Sequence, residues 1–299
     1  MREQKVLIVS GKPKMNYVSH NYSQSELAYK EFLRPSLQQA VDLLNIQANF
    51  QILDAGCGPG SMFTYFADKL KSTGHITGID ASDKHLEVAN QNVQTNGLEK
   101  IVSLKMVDLF KDLPFADDFF DMIWLSDVLF PDDFGDQIFT TLKKLYKILK
   151  PGGKIAVFYG NWLRLTLLPG YSILEHAISI ANEKRKSTRF IWKPEVHPEN
   201  ALEWLNKCDF INCENYYLSS YYQSPLKEHI KKYIHYHLTQ IYGKAVNFKS
   251  PDFQIPQIEI DEFHKITDPD SDNYILNRPF YHCSAHAQVT IGQKKANAW

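Results

Sequence analysis

Asp54, Gly56, Gly58 and Gly60 stand at alternate positions in the run Gln51-Ile-Leu-Asp-Ala-Gly-Cys-Gly-Pro-Gly-Ser61. Glycines there permit positive φ and remove the Cβ atoms that would hold a ligand away from the backbone. A helix that follows such a turn adds free N–H groups at its start. Phe50, Ile52 and Leu53 read as a buried strand, and Met62 to Leu70 carries apolar residues at helical spacing, so strand, glycine turn and helix are predicted in that order. This arrangement can bind a nucleotide-type cofactor. The dinucleotide fingerprint is Gly-x-Gly-x-x-Gly, but Ser61 stands where the third glycine belongs and Gly60 comes one residue early. The Asp54 carboxylate would repel a pyrophosphate and suits a cofactor that carries an ammonium group.

Further acidic residues follow at the ends of predicted strands. Gly74 to Asp80 reads as a second strand closing on a carboxylate that can accept hydrogens from both ribose hydroxyls. Ala81-Ser82-Asp83 opens a helix, with Ser82 as N-cap and Asn96-Gly97 as the stop. Ile101 to Val107 is a third strand, followed by Asp108 and Leu109. Phe119 to Leu125 is a fourth, followed by Ser126 and Asp127 at its carboxyl end, where ligands of open α/β sheets sit. A helix from about Phe134 to Leu149 meets Lys150-Pro151-Gly152-Gly153, and strand five spans Lys154 to Tyr159.

In these features the chain resembles the class I S-adenosylmethionine-dependent methyltransferases. Their first motif, acidic-x-Gly-x-Gly-x-Gly, matches Asp54, Gly56, Gly58 and Gly60 without a gap, and their Leu-x-Pro-Gly-Gly break matches the run Leu149 to Gly153. The resemblance covers residues 50 to 160 and is specific for cofactor, not for substrate. It implies a doubly wound, seven-stranded, mainly parallel sheet, the Rossmann-like methyltransferase fold, with S-adenosyl-L-methionine as cofactor. It also implies that Asp108 takes the adenine amino group and that Leu109 packs on or near the ring. The expected cofactor-binding set is Asp54, Gly56, Gly58, Gly60, Asp80, Ala81, Asp108, Leu109 and Ser126.

The elements outside this core must supply the acceptor site. Residues 1–48 are expected to form an N-terminal helical cap, 49–160 the cofactor-binding core, and 161–299 the rest of the sheet with substrate-binding insertions at 161–197 and 222–280. Tyr17 and Tyr22 are placed in the substrate pocket. Glu199 to Cys208 reads as the helix before strand six, Phe210 to Leu218, and Tyr281 to Gly292 as the final strand. Pro225 to Leu238 reads as a helix, and the stretch with Pro251, Pro256, Pro269 and Pro279 as loop. Methyl transfer asks for alignment and exclusion of water, with a base near neutral pKa where a hydroxyl or protonated amine is the nucleophile. Asp127, after strand four, and His176, in the insertion after strand five, are the catalytic candidates.

Composition narrows the partners. The chain has 299 residues, 44% hydrophobic, with a formal net charge of -1, which gives no global field for holding a polyanion. No nucleic acid is expected. Cys57, Cys208, Cys213 and Cys283 form no C-x-x-C pair, which points to a reducing cytoplasm and to no metal site. The Ile155 to Ala181 segment is broken by Asn161, Arg164, Pro169-Gly170, Glu175 and His176, so no stable membrane insertion is expected.

Motifs that are missing also count. Ser126-Asp127-Val128-Leu129 replaces the Asn/Asp-Pro-Pro-aromatic turn of amino-methylating DNA enzymes, and Val128 to Gln137 lacks the two glutamates of protein arginine enzymes. Gly160-Asn161-Trp162 replaces the Asp-Asn pair of metal-dependent catechol-type enzymes. A small organic acceptor with a hydrophobic or aromatic part is expected, with O-, N- or C-methylation open. The alternatives are an RNA or protein methyltransferase using Lys184-Arg185-Lys186 and Arg189 as a contact patch, or a non-catalytic cofactor-binding module.

Overall fold

The structure, a computed structural model, describes residues 20–71, 73–186 and 194–296. In chain order the elements are α1 (His20–Phe32), α2 (Arg34–Leu43), β1 (Gln51–Ala55), α3 (Phe63–Ala67), β2 (His75–Asp80), α4 (Asp83–Thr95), β3 (Val102–Met106), β4 (Phe120–Ser126), α5 (Pro131–Phe134), α6 (Gln137–Ile148), β5 (Leu149–Thr166) and α7 (Ser172–Lys186). They continue with α8 (Ala201–Lys207), β6 (Ile211–Gln223), α9 (Glu228–Tyr236), α10 (Gly243–Val246), the hairpin β7 (Lys249–Ser250) and β8 (Phe253–Gln254), α11 (Gln257–Thr267) and β9 (His282–Gln293).

Seven strands form one sheet in the order β3-β2-β1-β4-β5-β9-β6. The first five run parallel, while β9 runs antiparallel to both β5 and β6. Alternation of side chains divides the core between the two faces. Ile52, Met122, Trp124, Ala156 and Phe158 face one side, with α2, α7, α9 and α11. Leu53, Ala55, Ile123, Leu125, Ile155 and Val157 face the other, with α6 and α8. In α6 the buried residues Ile138, Leu142, Leu145 and Ile148 lie at helical spacing, as the pattern required. Ser82 caps α4 by accepting the His85 N–H, and Gly97 ends it at φ 64°.

Several elements differ from expectation, β6 among them, which runs to Gln223 against β9. The helix after the glycine turn is only five residues, because Lys69 and Leu70 bond back three residues and Lys71 donates to Ala48. Gly135, at φ 49°, separates the short α5 from α6, so the helix expected from Phe134 begins at Gln137. β5 extends to Thr166, seven residues past its expected end, because β9 pairs with it on both sides of a register shift between Asn161 and Leu165. The stretch read as loop contains α11, whose Ile260, Phe263, Ile266 and Thr267 are buried; prolines at its flanks hid a helical pattern.

Candidate active site

The glycine turn sits between the carboxyl ends of β1 and β2. Gly56, Gly58 and Gly60 have φ of 77°, 52° and 81°, a region that favours glycine. The Gly56 and Cys57 N–H groups both donate to the Ile79 carbonyl at 2.8 Å, which ties the turn to β2. Asp80 completes that tie. Its carboxylate accepts from the Gly58 N–H at 3.0 Å and from the Ser82 N–H at 2.8 Å, so it holds the turn and the start of α4 together. Cys57 is buried and burial pushes its thiol well up, so it packs and does not react.

Asp54 lies beneath the turn and is 2% exposed, and its Oδ2 has no hydrogen-bond partner among the described residues. Burial pushes its pKa up to about 8, with Lys30 opposing and Asp80 and Glu26 adding to the rise. A buried carboxylate oxygen without a donor is costly unless it meets a proton or a cation. A cofactor with an ammonium group fits that need.

Asp108 and Leu109 follow β3 on the far side of β2. The Asp108 carboxylate accepts the Phe110 N–H at 2.9 Å, and Leu109 is buried against the α6 side of the sheet. Ala81 and Ser126 lie half-buried at the ends of β2 and β4. The expected cofactor set therefore lines the carboxyl edge of adjacent strands β3, β2, β1 and β4.

Helix α1 covers this edge and brings Glu26 and Lys30, two residues that the sequence does not single out. Glu26, Tyr29, Lys30 and Leu33 share one helical face. A Cβ built on Gly58 would lie 2.9 Å from Glu26 Oε1, which places the Glu26 carboxylate against the turn. His85 stands between Glu26 (3.7 Å) and Asp80 (3.4 Å); burial opposes its charge, but the Asp80 hydrogen bond and the two carboxylate charges outweigh this and raise its pKa. Lys30 Nζ, almost fully buried, donates to Ser126 Oγ at 2.7 Å and pairs with Asp127. The sequence holds a partial signal, two charged residues one turn apart on the face that carries Tyr29 and Leu33, but not the site that this face covers.

Asp127 adopts φ 54°, in the left-handed region that aspartate tolerates better than most residues. Its Oδ1 accepts the Gly160 N–H at 2.8 Å and its Oδ2 meets Lys30. Both oxygens are engaged, so Asp127 joins β4, β5 and α1. Tyr159 lies beside it, and its ring meets that of His197 edge to face at 6.0 Å. Burial raises the Tyr159 pKa, with Asp127, Glu199 and Glu183 adding to it, and burial lowers that of His197 against Glu199 and Glu183.

The structure does not bring the two catalytic candidates together. His176 lies exposed on α7 beside a separate cavity of about 140 Å³ lined by Leu163, Leu168, Glu175 and Ser179. Asp127 borders a space of only about 10 Å³, enclosed by Phe130, Phe158, Tyr159 and Trp204. Tyr17 lies outside the described residues, as does the side chain of Tyr22 in the first turns of α1, and Arg189 falls outside them too.

A mainly parallel sheet with a glycine turn after β1 and carboxylates at or just past the ends of β1, β2 and β3 defines a class I methyltransferase fold with its cofactor edge. Residues 46–207, more than half of the chain, match the family described as methyltransferase domain. The chain belongs to this S-adenosylmethionine-dependent methyltransferase family. Methyltransferase GfsG of Streptomyces halstedii is 34% identical over 40% of this chain and 41% of that protein. The ubiquinone/menaquinone biosynthesis C-methyltransferase of Geotalea daltonii is 31% identical over 43% of this chain and 53% of its own length. The chain thus spans about half the length of these curated relatives. Among solved structures, a putative methyltransferase from Bacillus halodurans aligns over 87% of this chain and 99% of that one, at 14% identity and a TM-score of 0.51, which supports the fold. No helix among the described residues is long and apolar enough to cross a membrane.

Proposed function

We propose that the protein transfers a methyl group from S-adenosylmethionine to a small organic acceptor with a hydrophobic or aromatic part. The observation that carries this reading is the aromatic surround of Asp127, where the rings of Phe130, Phe158 and Tyr159 stand beside the polar groups of Lys30 and Ser126. Binding sites of that make-up, mostly apolar with a few placed polar groups, suit small organic ligands. The named C-methyltransferase relative acts in quinone biosynthesis, which supports a ring-bearing acceptor.

The cofactor supplies an activated methyl on a sulfonium, so the side chains need only hold, orient and keep out water. Asp54, Asp80, Asp108, Leu109 and the glycine turn would hold it along the strand ends. Asp127, paired with Lys30, would accept a hydrogen bond or proton from the acceptor, and the rings of Phe130, Phe158 and Tyr159 would exclude water. The space beside Asp127 admits about one water, so α1 or the turn at Pro198–Asn200 must shift for an acceptor to enter.

A contact patch for RNA or protein draws less support. Lys184 is paired with Asp252 at 2.8 Å, which offsets its charge, and Arg185 is held to the Asn182 amide. All four cysteines are free, which suits a reducing cytoplasm. Methyl transfer from labelled cofactor should be measured across phenols, hydroquinones, amines and prenylated rings, with RNA and protein in parallel. Turnover confined to the small acceptors is expected; turnover only on RNA or protein would replace this reading.

A further inference from the structure

We infer that Glu26 is a second carboxylate for the amino group of the cofactor's methionine part, presented by α1 across the glycine turn from Asp54. This rests on the cofactor reading above and adds to it a residue from a segment the methyltransferase match at 46–207 does not include.

Three independent observations converge on Glu26. Its carboxylate lies over Gly58, close enough that any side chain at that glycine would strike it: 2.9 Å to Oε1 and 3.4 Å to Cδ. The Asp54 Oδ2 oxygen beneath the turn is buried and has no donor among the described residues. Burial works against charge on both groups: it raises Asp54, with Glu26 adding to that rise, and it raises Glu26, with Lys30 and His85 opposing and Asp127 and Asp80 adding.

The charges at this edge are also out of balance. Glu26, Asp54, Asp80 and Asp127 are four carboxylates, and the cations facing them are Lys30 and His85. Lys30 is committed to Ser126 and Asp127, and His85 lies between Asp80 and Glu26. A primary ammonium brings one positive charge and three donors, enough for both Asp54 and Glu26 with one N–H left for the turn.

Helix α1 holds Glu26 in this place rather than leaving it to swing. One turn on, Lys30 is tied to β4. Tyr29 packs on Gly160, whose added Cβ would lie 1.9 Å from its hydroxyl, and Phe32 stacks on Tyr233 at 4.7 Å. The same fastening separates two opposite roles for Glu26, a ligand to the cofactor or a plug that must leave before it binds.

Titration calorimetry with S-adenosylhomocysteine and with 5′-methylthioadenosine, which lacks the amino-acid part, separates them. Glu26→Gln is expected to weaken the first about tenfold, the scale of a lost charge-assisted hydrogen bond, and to leave the second within about twofold. Equal weakening of both ligands would assign Glu26 a structural role, and unchanged or tighter binding of S-adenosylhomocysteine would make it a plug; either overturns the inference. If Glu26→Gln fails to fold, Glu26→Asp, which draws the carboxylate back by one methylene, should show the same selective loss, and no loss overturns it. A wild-type protein that binds neither compound would remove the cofactor reading as well.

Discussion

The two halves of the sheet's carboxyl edge are built in different ways. On the β3-β2-β1-β4 side, the functional groups come from the last residues of each strand or the few places just past it, so each is positioned by its own strand. Around Asp127, where β4 adjoins β5, the groups come from α1, β5 and the turn at Pro198–Asn200, which are far apart in sequence. Short-range geometry makes the first half a fixed receptor; the second half depends on how well α1 and the insertions dock. A conserved scaffold reaction with a variable acceptor needs this division, since loops and insertions can change without moving the strand ends.

The sharpest way to break the comparison is to remove Asp80. Its carboxylate holds both the Gly58 and Ser82 N–H groups, so Asp80→Ala should loosen the turn and lose the ribose acceptor together. Losing two charge-assisted bonds implies a fall in S-adenosylmethionine affinity on the order of 100-fold or more. Calorimetry should show this while thermal melting shows a smaller change. Binding retained within a fewfold would mean that the cofactor edge does not run through β2.

Next in size is a pH effect that belongs to the cofactor half alone. Asp54, with a pKa near 8 in the ligand-free fold, is mostly protonated at pH 6. An ammonium partner favours its ionised form, so binding should release up to one proton. Affinity should then rise by about tenfold per pH unit from 6 toward 8. An α-amino group loses its own proton near pH 8, so the profile should pass through a maximum there. For the fold without ligand the sign is opposite: the pKa at Asp54 is raised above its unfolded value, so stability drains away as pH climbs from about 4 to 8. Calorimetry in two buffers of different ionisation enthalpy checks the proton count, and Asp54→Asn should flatten the rise.

What the sequence revealed follows the same division. Asp54, Asp80, Asp108 and the three glycines were legible because strand and turn patterns fix their places within a few residues. Glu26 and Lys30 were not, because nothing local says that α1 folds back over the turn; that depends on Tyr29 meeting Gly160 and Phe32 meeting Tyr233 and Tyr222. The same holds for α11, whose buried face packs on helices of the insertion and gives only a short periodic signal between prolines. The extension of β5 to Thr166 was invisible for another reason: β9, which pairs with it, lies more than a hundred residues later.

The docking of α1 gives a third test. Gly160→Ala places a methyl 1.9 Å from the Tyr29 hydroxyl, a close approach that forces α1 or β5 to shift. Such overpacking typically costs about 1–3 kcal/mol, and the melting temperature should fall by several degrees. Tyr29→Phe removes the struck atom and should recover part of the loss in a double-mutant cycle, whereas independent effects would simply add. If Gly160→Ala melted like the wild type, α1 would not be seated on β5 and the acceptor half would lack its cover.

The smallest effect expected is at His176, and its size separates the two candidates for catalysis. The side chain lies exposed on α7 beside a cavity distinct from the space at Asp127, and the neighbouring Glu175 is spent on the Leu167 and Leu168 N–H groups and the Tyr242 hydroxyl. Removing an exposed group away from the cofactor edge should change stability by less than about 0.5 kcal/mol. Asp127→Asn, by contrast, leaves Lys30 buried without its anion and should cost both stability and transfer. Single-turnover transfer from bound cofactor, once an acceptor is in hand, compares them directly. If His176→Ala slows transfer as strongly as Asp127→Asn without changing cofactor affinity, the acceptor lies over α7, and the acceptor half is organised around the insertion rather than around α1.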